Sequence, residues 1–222
     1  MFGGAYAYSA FTEVVKQTQD VLQKRVETHL QKEDVRWDYM RTTDDPVRAI
    51  LGLGAISDLI VMSAASDGHA GSDPALLGRI LVASQTPVMI APAKHQVFEP
   101  SRPALVAWDG SYEAANALRG AMPFLRLASS VTLLTINEHS GREMPPLDAA
   151  EYLARHGVAS EVASLNVRDK SITQVIQQES ADMGAGVVVM GAYGQSRVRE
   201  YWFGGVTREM LEYVDIPLLM AH

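Results

Sequence analysis

The chain has 222 residues, of which 47% are hydrophobic and 20% charged, with a formal net charge of −7 and no cysteine. The length can bury one large core or two small ones, and the acidic balance argues against general nucleic-acid binding, which needs a basic surface. Without cysteine there is no disulfide, thiolate metal site or cysteine nucleophile, and no apolar run approaches the roughly 18 residues that span a bilayer. The opening MFGGAYAYSAF lacks the basic stretch and long apolar core of a signal peptide. A cytoplasmic protein with neither nucleic acid nor membrane as partner is therefore the expectation.

In chain order, FTEVVKQTQDVLQKRVETHLQKE (11–33) predicts one long amphipathic helix, VRWDYMR (35–41) a strand and DPVRAILGLGA (45–55) a second helix. SDLIVMS (57–63) reads as an apolar strand, followed by a loop, a helix and the strand PVMIA (87–91). PALVAWDGS (103–111) is a short buried strand ending in turn residues, and SYEAANALRGAMPFLRLA (111–128) places Ala and Leu at helical spacing. VTLLTIN (131–137) is a strand, PLDAAEYLARHG (146–157) a helix closed by Gly157, and SEVASLNV (160–167) a strand. SITQVIQQESADMG (171–184) is a helix, and GVVVMG (186–191) is a continuous apolar strand suited to a sheet covered on both faces. Alternating strands and helices imply βαβ units and a doubly wound, mostly parallel α/β sheet of five strands.

Two segments repeat each other. Residues 57–93 and 185–222 each read strand, loop, amphipathic helix, and a second strand opened by Thr-Pro or Ile-Pro. Met62 matches Met190 and Pro87 matches Pro217, an offset of about 130 residues that suits a duplicated domain rather than a solenoid. Residues 98–222 form the complete copy and residues 1–97 an incomplete, degenerate one. In the latter, the first strand–helix pair and most of the second strand project to before Met1. A parallel sheet without its middle strand exposes unpaired backbone, so the N-terminal half is expected to be the less stable.

The segment GAYGQSRVREYWFGGVT (191–207) follows the apolar strand 186–191. In open parallel sheets ligands bind at the carboxyl ends of strands where the strand order reverses. Flavodoxin-like order puts that point between the strand ending at Trp108-Asp109-Gly110-Ser111 and the one ending at Met190-Gly191. Glycines there let backbone N–H groups approach phosphate oxygens. Gly204 and Gly205 would open the following helix, whose N-terminus favours an anion. Thr207 adds a hydroxyl, and Arg197, Arg199 and Arg208 add positive charge, partly offset by Glu200 and Glu209. The plainer reading is that the glycines are turn residues between strand and helix. For Asp109 it is that Asp-Gly-Ser caps or turns into a helix. Spacing leaves both pairs of readings open.

GVVVMGAYGQSRVREYWFGGVTREML resembles the nucleotide loop of the universal stress protein family, G-x2-G-x9-G-[S/T], with Gly191, Gly194 and Gly204 at the three glycines. VAWDGSYEAANAL is similar to that family's first strand and helix. Asp109 falls at the position used to hold adenine and ribose, and Ile136 at one that contacts the base. Thr207 matches a further position on the phosphate side, and Val206 is compatible with the pattern. The Ser/Thr after the third glycine is Gly205 here, which removes a hydroxyl and retains an N–H. The resemblance covers about 120 residues of the second half and the second half of the first copy. It implies a doubly wound Rossmann-like fold and an adenine nucleotide, ATP with or without Mg, held as a signalling ligand. It also implies that strands 87–91 and 216–221 pair as in family dimers, with a homodimer as a further expectation. In the first copy Ser63 stands for Gly191 and Pro74-Ala75 for the glycine pair. Proline offers no N–H to a phosphate, so no nucleotide is expected there.

The remaining chemistry is sparse. The six histidines (29, 69, 95, 139, 156 and 222) lack metal-like spacing, and no G-x-S-x-G elbow occurs. The Walker pattern is absent and residues 191–207 contain no lysine. A response-regulator reading lacks its acidic pair and its lysine. Trp202 and Phe203 read as packing residues rather than stacking platforms. At most a slow ATPase is expected, and the rival to nucleotide binding is a nucleotide-free dimeric interaction scaffold in stress response.

Overall fold

The structure, a computed structural model, describes residues 3–65, 71–93, 97–136, 144–194 and 205–222, with side chains described from residue 13 onward. The chain divides into two compact units, residues 1–44 and 45–222. The first contains α1 (Gly3–Leu30), a turn and an extended stretch. Arg41 ties that stretch to the helix, donating to Asp20 Oδ1 at 2.7 Å and to Gln23 Oε1 at 2.5 Å. Residues 35–41, expected as a strand, form none. Val, Trp and Tyr give the stretch β-propensity, but it joins no ladder among the described residues.

The second unit is a single sheet. Its strands are β1 (Ile60–Ser63), β2 (Val88–Ala91), β3 (Ala104–Ala107), β4 (Val131–Ile136), β5 (Glu161–Leu165), β6 (Val187–Gly191) and β7 (Leu218–Ala221). Its helices are α2 (Pro46–Gly54), α3 (Pro74–Ala83), α4 (Tyr112–Leu125), α5 (Pro146–Arg155), α6 (Ile172–Asp182) and α7 (Gly205–Glu212). The spatial order is β1-β2-β7-β6-β3-β4-β5, parallel throughout except where β2 meets β7. The five strands of residues 98–222 thus lie in Rossmann-type order, 3-2-1-4-5 counted from β3, rather than the flavodoxin order expected. The chain runs outward from β3 through β4 to β5 before returning to the other side. The switch point still falls between the first and fourth of these strands.

The helix starts follow from capping chemistry. Asp45 accepts the Arg48 N–H, Asp73 the Leu76 N–H and Ser111 the Ala114 N–H. Pro46 and Pro74 occupy first-turn positions, where a missing N–H costs nothing. Ser171 and Gln174 form a reciprocal capping box on α6.

Two cores sandwich the sheet. Val188 and Met190 of β6 pack with α2, α3, α6 and α7, while Val187 and Val189 pack with α4 and α5. This double coverage explains why the central strands are apolar at successive positions. At the antiparallel seam Met89 pairs with Leu219, and Val88 with Met220. There α4 approaches so closely that a Cβ on Gly120 would lie 2.3 Å from Pro87 Cγ. The pyrrolidine ring cannot swing aside. Gly120→Val should destabilise the protein by about 2 kcal/mol or more through overpacking, measured by urea denaturation. An unchanged midpoint would show that α4 does not bear on the seam.

Candidate functional site

The site lies where β3 and β6 end side by side. Ala107 is opposite Met190 in their parallel register, so Trp108-Asp109 and Gly191-Ala192 leave the sheet together. On the β3 side the chain turns through Gly110, at φ 75°, into α4. Ser111, not Asp109, is the helix cap. The exposed Asp109 braces the turn from outside: its Oδ1 accepts the Ser111 N–H at 3.0 Å and the Ser111 O–H at 2.6 Å. Its Oδ2 remains available to accept from a ligand hydroxyl.

On the β6 side, Gly191 packs against the first turn of α4. A Cβ there would fall 2.6 Å from the Ala114 backbone N and 2.9 Å from the Glu113 carbonyl carbon. This position therefore requires glycine for helix packing alone. Gly194 instead faces the polar end of that turn. A Cβ on it would lie 3.3 Å from Glu113 Oε2, 3.4 Å from Ser111 Oγ and 3.6 Å from Asp109 Oδ2. The Gly194 backbone thus comes up against Glu113, Ser111 and Asp109 at the start of α4.

Between the two glycines, Tyr193 has φ 56°, the one positive φ at a non-glycine among the described residues. Left-handed backbone costs a side-chain-bearing residue about 1 kcal/mol or more. Its N–H donates to Thr207 Oγ1 at 3.1 Å, which places the first turn of α7 beside the β6 loop. Thr207 is only 4% exposed. Ala192 is also pinned: its N–H donates to the Ala221 carbonyl at 2.8 Å, and its own carbonyl lies 2.9 Å from His222 Nδ1. A carbonyl only accepts, so His222 carries its proton on Nδ1 in this contact.

The other expected site residues are distributed as follows. Gly205 opens α7 and is exposed, with no atom within 4 Å of where a Cβ would be. Val206 is half-buried against the α6/α7-side core. Ile136 ends β4, the strand next to β3, with its side chain buried in that core. Gly204, Arg197, Arg199, Glu200, Trp202 and Phe203 lie outside the described residues. Arg208, expected to add charge for a phosphate, instead bonds Glu212 Oε1 at 2.9 Å, an i,i+4 pair along α7. Sequence reasoning missed Ser111 as the cap, Glu113 beside Gly194 and Tyr193 as the strained residue. The cap alone had a signal, a serine three residues before Ala114.

Burial raises the Tyr193 phenol above its ordinary value of 10.0. Folding therefore favours the protonated phenol, and that stability is present below about pH 10 and lost as pH rises through the raised value. A spectrophotometric titration of phenolate absorbance should lose a component with a midpoint above 10 when Tyr193→Phe is introduced. Loss of a component at or below 10 would contradict this.

Among the described residues no helix is long and apolar enough to cross a membrane. No curated protein matches the chain. In fold it is similar to a universal stress protein from Archaeoglobus fulgidus DSM 4304, at 17% identity and a TM-score of 0.71 over 100% of this chain and 83% of that one. It is also similar to a proposed universal stress protein from Pseudomonas aeruginosa UCBPP-PA14, at 15% identity and a TM-score of 0.59 over 90% and 77%. Residues 100–222 match the profile described as the universal stress protein family. The glycine-bearing loop after β6 and the aspartate after β3 lie within that match. The chain belongs to the universal stress protein family.

Proposed function

We propose that the carboxyl ends of β3 and β6 bind ATP or another adenine nucleotide as a signalling ligand, with little or no hydrolysis. One observation carries this reading: the side-chain-free backbone of Gly194 stands against Glu113 Oε2, Ser111 Oγ and Asp109 Oδ2, so close that a Cβ there would lie 3.3, 3.4 and 3.6 Å from them. A carboxylate oxygen suits ribose hydroxyls, and a glycine backbone suits a phosphate. The first turn of α7 stands beside it through the Tyr193–Thr207 bond and adds N–H groups at a helix start. Mg, if bound with the phosphates, would offset the negative charge of Asp109 and Glu113.

In this reading β1–α3–β2 is a degenerate counterpart of β6–α7–β7, related to it across the antiparallel β2–β7 pair. It holds no nucleotide, because Pro74 stands in the first turn of α3 and the Asp73 carboxylate occupies its N-terminus, accepting the Leu76 N–H at 2.8 Å.

A second reading, a nucleotide-free dimeric interaction scaffold, is favoured by the carboxylate Glu113 Oε2 beside Gly194 and by the missing hydroxyl at Gly205. Isothermal titration with ATP, ADP and AMP separates the two. The nucleotide reading expects saturable heat, abolished by Gly194→Val. Gly205→Ser, which the open space at that position accommodates, should tighten ATP by up to about tenfold through one added hydrogen bond. Absence of heat in folded protein at high ATP would leave the scaffold.

A further inference from the structure

The resemblance places Thr207 on the phosphate side, but its surroundings assign it another task. Its side chain is buried, and its Oγ1 accepts the N–H of Tyr193, fourteen positions earlier, at 3.1 Å. Tyr193 in turn holds φ 56°, a conformation that L side chains rarely adopt, immediately before Gly194. Its ring is half-buried against the core beneath α6 and α7, so it cannot relax freely. The placement of Gly194 beside Ser111 Oγ and Asp109 Oδ2 follows from that backbone turn.

We propose that Thr207 is a positioning residue: its buried hydroxyl latches the Tyr193 N–H, keeps the loop in its left-handed turn, and so sets Gly194 against Asp109 while docking α7 at the β6 end. The same bond links the two segments that flank residues 195–204. The Thr207 side chain acts through Tyr193 rather than by touching ligand. The importance of this for ligand rests on the nucleotide reading above; the latch itself does not.

The test compares Thr207→Val, which removes the hydroxyl at nearly constant shape, with Thr207→Ser, which restores it. In nucleotide-free protein, Thr207→Val should speed amide exchange at Tyr193 by about tenfold, the weight of one hydrogen bond. It should do so by more than at Val189 in the core of β6, which reports global opening. The same variant should weaken ATP by about tenfold, and Thr207→Ser should return both readouts to within about twofold of the parent protein. Where Thr207→Val does not fold, Thr207→Ala serves in the same comparison. Unchanged Tyr193 exchange overturns the latch. Weaker ATP binding with unchanged Tyr193 exchange also overturns it, because the hydroxyl then contacts the nucleotide directly. If the parent protein takes up no ATP, the nucleotide reading fails on its own, and the exchange comparison still decides the latch.

Discussion

Everything at the site depends on the parallel pairing of β3 with β6. With Ala107 opposite Met190, the two strands release their chains at one level of the sheet. The strand order forces this adjacency: the chain leaves β3 outward to β4 and β5, then crosses back to lay β6 on the opposite side. The helices after β3 and β6 consequently go to opposite faces, α4 to one and α7 to the other, the arrangement that leaves a gap between helix starts at a switch point of a doubly wound sheet. A ligand at a doubly wound sheet sits in such a gap. The glycines then serve different ends. Gly191 lets α4 close onto the strand, and Gly194 lets the loop backbone approach Glu113, Ser111 and Asp109.

The antiparallel pairing of β2 with β7 is the second constraint. It makes β7 an interior strand buried at every position, so the sheet edge shifts outward to β1. Because Ala221 pairs with Gly191 and receives the Ala192 N–H, an ordered β7 also steadies the start of the glycine loop. The seam and the candidate site are therefore mechanically connected through two strand ends, without any residue common to both.

Much of this was legible in the sequence, for physical reasons. Runs such as VVVM and VMIA are apolar at consecutive positions and rich in Val and Ile, as a strand covered on both faces requires, and each forms one. Caps are local, so Asp45, Asp73 and Ser171 mark their helices. The stretch 35–41 shows the limit of local pattern: propensity is carried by the residues themselves, whereas a ladder needs a neighbouring strand. At Asp109-Gly110-Ser111 two cap-forming residues stand two apart, and only the turn at Gly110 decides that Ser111 caps while Asp109 braces. The left-handed Tyr193 and its bond to Thr207 had no signal, because a tyrosine does not advertise positive φ and the partner lies fourteen positions away. The family resemblance supplied a position for Thr207, but its hydrogen bond depends on a tertiary neighbour.

The central claim is that the β3–β6 gap takes a nucleotide and the start of α3 does not. Amide chemical-shift mapping with ATP tests both halves at once in the intact protein. The account predicts perturbation at Ser111, Gly191, Gly194 and the first turn of α7, with Leu76 and the rest of the first turn of α3 unmoved. Perturbation confined to α3, or none at any of these amides in saturating ATP, would contradict it.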